Sequence, residues 1–181
     1  QAGAGRDTII YRVTDVRGCT GTDTTIVEIK NLPVVSFDTI AGICLNAPSI
    51  KLNQGLPAGG NYSGPGITGS DRFYPITADT GIHLLSYHYT DANNCSASAS
   101  RLIRVFGLPE VNLPPLPPVC ADADTLSLSG ATPAGGMYSG PGILASPLID
   151  PVVAGPGNHT ITYTYTDSNF CTNTDSTIFS I

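Results

Sequence analysis

The chain has 181 residues, of which 41% are apolar and only 12% charged, with a formal net charge of −6. That is apolar enough for a packed core and excludes a disordered polyelectrolyte. Eight cationic residues against fourteen acids exclude the basic face by which nucleic-acid binders displace phosphate counterions. No apolar run approaches the roughly 18 residues of a membrane helix, so no membrane insertion is expected, and the opening residues do not read as a signal peptide. Twenty glycines, fifteen prolines and no tryptophan make a turn-rich, β-leaning composition.

Self-similarity organises the rest. Cys19, Cys95 and Cys171 lie 76 residues apart, as do Cys44 and Cys120, and the whole chain aligns on itself at that offset without a gap. The reading is a tandem array: 1–31 as the C-terminal part of a repeat, 32–107 as one full repeat and 108–181 as another. The incomplete first copy makes the chain look like a window on a longer protein. A hairpin of about thirty residues cannot bury a core of its own.

In chain order, the first segment carries Asp7, Ile9, Tyr11 and Val13 on the inward face of a period-two strand. The first full repeat offers strands over 34–37, 49–53, 61–63 and 72–74. A long alternating strand follows over 82–90, with His83, Leu85, Tyr87 and Tyr89 inward, and another over 98–105. Each has a counterpart 76 residues on, including His159, Ile161, Tyr163 and Tyr165. Nothing carries a helical period for three turns. Short strands punctuated by Gly and Pro predict an all-β fold of tandem immunoglobulin-like sandwiches, two antiparallel sheets each. "NLPVV" at 31–35 and "GLPEV" at 107–111 are stiff joints, and the prolines at 114, 115, 117 and 118 make an extended edge that resists strand addition.

Two cysteines per repeat at fixed spacing predict one disulfide within each repeat, Cys44–Cys95 and Cys120–Cys171, with Cys19 bonded to a cysteine upstream. Closing a loop of that size is worth about 4 kcal/mol in the chain-entropy model. Zinc would need a close Cys/His pair, which the sequence lacks. A hydrolytic triad from Ser63/Ser139, His83/His159 and Asp91/Asp167 fails on sequence grounds, because no nucleophile elbow surrounds the serines and Asp7 stands at the histidine position. "GGxYSGPG" lacks the Lys-Ser/Thr and helix of a phosphate loop and reads as a strand-to-strand turn. Asp15, Asp91 and Asp167 are expected to cap the following turn through their carboxylates; calcium there would need six or more oxygen ligands. The threonine stripe 160–166 is interrupted at the corresponding positions of the other repeat and reads as a solvated β face. Asp-Thr/Ser followed by an apolar residue or Thr occurs at Thr8, Thr24, Thr39, Thr125 and Ser176, more often than composition alone would give.

The "LP" joint, the cysteine, "PxGGxYSGPGI", "GxH", "YxYTD" and the closing cysteine together resemble the tandem immunoglobulin-like repeats of giant Bacteroidota surface adhesins. Among these are gliding-motility-associated proteins exported by the type IX route. The resemblance spans the whole chain and implies O-glycosylation at Thr8, Thr24, Thr39, Thr125 and Ser176. It also implies a secreted, outer-surface location.

The expected function is therefore a non-catalytic stalk segment without cofactors, whose partners are neighbouring repeats, other copies in a filament, or surface glycans. A self-assembling filament subunit is the alternative. A carbohydrate-binding module would need an exposed aromatic platform, for which Tyr62 and Tyr138 are the candidates. A secreted hydrolase has no constellation to support it.

Overall fold

The computed structural model describes residues 3–181. The first element is a hairpin of β1 (Gly5–Thr14) and β2 (Thr20–Ile29), paired in unbroken antiparallel register from Gly5↔Ile29 to Thr14↔Thr20. Next come β3 (Ser36–Phe37), β4 (Ile43–Cys44), β5 (Ile50–Lys51), β6 (Gly55–Leu56), β7 (Asn61–Ser63), β8 (Ile67–Thr68) and β9 (Arg72–Phe73). A four-residue helix α1 (Pro75–Ala78) leads into the long strands β10 (Gly81–Thr90) and β11 (Ser96–Phe106). The last part of the chain holds β12 (Leu126–Ser127), β13 (Met137–Ser139), β14 (Ile143–Ala145), β15 (Leu148–Ile149), α2 (Pro151–Ala154), β16 (Asn158–Thr166) and β17 (Thr172–Ser180).

The pairing repeats with the sequence. One sheet of the first full repeat places β10 between β7 and β11, with Tyr62 opposite Tyr87; its counterpart is β13-β16-β17, with Tyr138 opposite Tyr163. The facing sheet is β5-β9-β8, mirrored by β12-β15-β14. The pair Ser36↔Leu56 of β3 and β6 recurs as the isolated bridge Asn112↔Thr132. Two details depart from expectation. The strand β4 pairs with β11 in parallel, Ile43 against Val105, so the sheets are not purely antiparallel. The short helices α1 and α2 each carry proline at their start, which pre-sets the helical φ, and in α2 the Asp150 carboxylate accepts the Val152 and Val153 amides.

The core repeats as well. Phe37, Leu52, Tyr62, Phe73, Leu85, Tyr87 and Ile103 are buried in the first full repeat. The second buries the same seven positions 76 residues on, as Leu113, Leu128, Tyr138, Ile149, Ile161, Tyr163 and Phe179, in one cluster. Fully burying each such side chain is worth about 1.5–3 kcal/mol before entropy is charged against it. In the β1–β2 hairpin the matching residues face solvent: Ile9 is 54%, Tyr11 69% and Val27 39% exposed.

Two compact units result. Among the described residues, one comprises 3–40, 50–73 and 83–103, and the other 41–49, 74–82 and 104–181. The bounds cut across the repeats of the sequence: residues 41–49, which include Cys44, belong to the same compact unit as the last repeat.

Candidate functional site

The cysteines correct the sequence-based pairing. Cys44 is bonded to Cys171, with Cα atoms 5.5 Å apart, while Cys19, Cys95 and Cys120 carry free thiols. Neither Cys44–Cys95 nor Cys120–Cys171 forms, and the reason lies in strand length. Cys44 sits beside Phe106, at the end of β11, whereas Cys95 directly precedes that strand. Eleven residues of strand separate the two by about 36 Å at some 3.3 Å per residue, far beyond the ~7 Å Cα limit of a disulfide. Likewise the Val119 amide donates to the Ser180 carbonyl at the end of β17, while Cys171 directly precedes β17. Each repeat therefore carries one cysteine at each end of its last strand.

The surroundings of the cystine are built locally. Leu45 donates its amide to the Phe106 carbonyl at 2.9 Å, and the Asn46 side chain donates to the Thr172 carbonyl at 3.3 Å. Gly42 packs against the Phe106 ring, into which a Cβ at that position would run unless the ring shifted. On the far side, Cys171 closes a turn framed by Asp167. Its Oδ1 accepts the amides of Asn169 at 2.9 Å and Cys171 at 2.8 Å, and the Asp167 amide donates to the Cys171 carbonyl at 3.0 Å. Asp91 frames Cys95 and Asp15 frames Cys19 in the same way. The carboxylates thus cap the turns as the sequence suggested. The Cys95 amide above all holds the Asp91 carboxyl below its ordinary range; desolvation opposes it, and the Asn93 amide and side chain add smaller lowering contributions, with Cys171 and Asn169 acting on Asp167 in the same way.

The "GGxYSGPG" loops are anchors for tyrosine. The Tyr87 hydroxyl accepts the Gly60 amide at 2.7 Å and donates to the Pro57 carbonyl at 2.5 Å. Tyr163 does the same with Gly136 and Pro133, both at 2.6 Å. The hydroxyl of Tyr62 takes the Gly55 amide at 2.6 Å, and burial pushes its pKa up despite that bond. Tyr62 and Tyr138 lie inside, their rings 4.7 and 4.8 Å from those of Tyr87 and Tyr163, so neither offers an exposed platform for a sugar.

The remaining candidates separate. His159 Nε2 bonds the Gly155 carbonyl at 2.8 Å and the Ser139 hydroxyl donates to the Thr162 carbonyl at 3.5 Å, so the Ser139, His159 and Asp167 side chains are each engaged with nearby backbone rather than with one another. Thr8, Thr24, Thr39, Thr125 and Ser176 are all exposed. Among the described residues, no group of three or more His, Cys, Asp or Glu side chains is placed to hold a metal ion. No helix among them is long and apolar enough to cross a membrane.

No protein-family model matches the chain, and no curated protein matches it. Among solved structures, the chain is similar to a Ca2+-stabilised adhesin with which an Antarctic bacterium binds ice. The TM-score is 0.40 at 13% identity, covering 97% of this chain and 56% of that one. It is also similar to extracellular cadherin domains 1–4 of protocadherin gamma B7, with a TM-score of 0.25 at 15% identity, covering 98% of this chain and 57% of that one. The chain thus spans little more than half the length of either, and no residue role or ligand is carried over from them.

Proposed function

We propose that this chain is a non-catalytic stalk segment of a large secreted surface adhesin, in which sandwich repeats in series carry load and hold binding domains away from the cell. The observation that carries the reading is the twofold recurrence of one seven-residue core at a 76-residue period, joined by short prolyl linkers. Repeats of this kind bear mainly on their neighbours, so length grows with copy number while each unit keeps its own stability. The acidic surface, decorated at Thr8, Thr24, Thr39, Thr125 and Ser176, keeps neighbouring stalks apart and soluble. Export by the type IX route and service in attachment or gliding belong to this reading through the resemblance of the "GGxYSGPG…YxYTD" repeats.

The test is small-angle scattering on chains extended by one, two and three further copies of 106–181. The stalk reading expects the maximum dimension to rise by a constant increment per copy, and a dimension that saturates would contradict it. A second reading, a self-assembling filament subunit, is favoured by the open face of Ile9, Tyr11 and Val13 on the β1–β2 hairpin. Light scattering separates the two: concentration-dependent growth that Tyr11→Ser abolishes supports the filament, and a constant monomer mass supports the stalk.

A further inference from the structure

We infer that the Cys44–Cys171 cystine is one rung of a repeating staple, and that Cys120 and Cys95 are open halves of the same staple, each taking a cysteine from an adjoining 76-residue repeat. The inference deepens the serial-array reading and rests on it.

The argument starts from the ends of the last strand. In each full repeat the leading cysteine, Cys44 or Cys120, lies beside the end of the repeat's final strand: Leu45 bonds the Phe106 carbonyl, and Val119 bonds the Ser180 carbonyl. The trailing cysteine, Cys95 or Cys171, directly precedes that strand. Bonding within a repeat is excluded by the length of the strand, so any partner must come from outside it. Cys44 has found its partner in the repeat that follows in sequence. Cys120 occupies the corresponding position, exposed and unpaired.

The trailing side supports the same rule. The turn that presents Cys95 has the hydrogen bonds of the turn that presents Cys171: aspartate Oδ1 accepts the cysteine amide at 2.9 and 2.8 Å, and the aspartate amide donates to the cysteine carbonyl at 2.9 and 3.0 Å. The backbone frame for bonding is therefore already in place around Cys95. The difference is the occupant, since Cys171 is wholly buried against its partner and Cys95 is half-exposed with a free thiol. Cys19, on the Asp15 turn, stands at the same position again. Forming each rung removes two protons and two electrons from two thiols. A disulfide-bearing oxidant takes them by thiol–disulfide exchange and leaves as the dithiol.

The experiment appends a second copy of residues 106–181 after Ile181, oxidises the protein in a glutathione redox couple, and maps cystines by non-reducing peptide mass spectrometry after alkylation. The expected result is Cys44–Cys171 together with a new cystine between Cys120 and the appended counterpart of Cys171, with Cys19 and Cys95 alkylated. In the 181-residue chain, Cys120 is then alkylated as well. Cys44→Ser in the extended chain should leave the new cystine intact and free Cys171, which shows that each rung forms independently. Recovery of Cys44–Cys95 or Cys120–Cys171, or alkylation of Cys120 in the extended chain, overturns the proposal. A constant scattering increment without the new cystine sinks the staple and leaves the array; loss of the increment sinks the array itself.

Discussion

Gly60 and Gly136 show how a short loop is committed to one tyrosine. Each donates its amide to a buried phenol, and a Cβ at either place would meet the Tyr87 or Tyr163 ring and the carbonyl of His88 or Thr164. Backbone cannot yield there without breaking the β7–β10 or β13–β16 pairing. Gly60→Ala should therefore destabilise its unit by about 3 kcal/mol, in the range of overpacked cores, as read by chemical denaturation. A loss below about 0.5 kcal/mol would mean that the loop can shift. At the turns, the depressed pKa of Asp91 and Asp167 means their carboxylates are held in the charged form by the folded chain. The stabilisation is present above the ordinary aspartate value of 3.8 and is lost as pH falls through the lower folded value. Titration of the Cys95 and Cys171 amide resonances should show midpoints below 3.8, and midpoints at or above it would refute the hydrogen-bonded frame. These capping aspartates were legible from "TD" followed by a short polar turn. The phenol–glycine clamp was not, because a glycine pair in a sequence signals a tight approach without saying what approaches.

Among the elements, the β1–β2 hairpin and its two counterparts form an internal experiment. Leu85 and Ile161 are fully buried where Ile9 is open, although all three stand at the same repeat position. Leu85→Ala removes a packed side chain and should cost about 3 kcal/mol, whereas Ile9→Ala should change stability by less than about 0.5 kcal/mol. Equal effects at the two positions would mean that the hairpin face is covered in solution. The long strands were readable because alternation over nine or ten residues is a strong periodic signal. The helices α1 and α2 were missed because four residues are little more than one turn, too short to carry a period. The signal available was proline at the first helical position, reinforced in α2 by the aspartate before it. The parallel pairing of β4 also escaped, since a two-residue strand carries no alternation by which to orient it.

For the whole molecule, the cysteines mark where sequence reasoning stops. Spacing showed that they were repeat features but could not place them at opposite ends of a strand, because that depends on how Ile43 docks beside Val105. The observed loop, with a separation of 127 residues, is worth about 5 kcal/mol in the chain-entropy model, against about 4 kcal/mol for a 51-residue loop. Cys44→Ser should lower the stability of the unit formed by 41–49, 74–82 and 104–181 by up to that amount and leave the unit containing Leu85 close to unchanged. Two-transition denaturation monitored on each unit checks this. Equal loss in both units would mean that they do not unfold independently.

The most direct test of a stapled, load-bearing array is to pull the chain from its two ends in a single-molecule force experiment, with and without reductant. Oxidised, the loop between Cys44 and Cys171, a separation of 127 residues, is held out of the extension; reduced, it releases about 450 Å of additional contour at roughly 3.6 Å per residue. A single hidden length of that size is the predicted result. Two hidden lengths of about 180 Å each, the signature of loops closed within each repeat, would contradict the account.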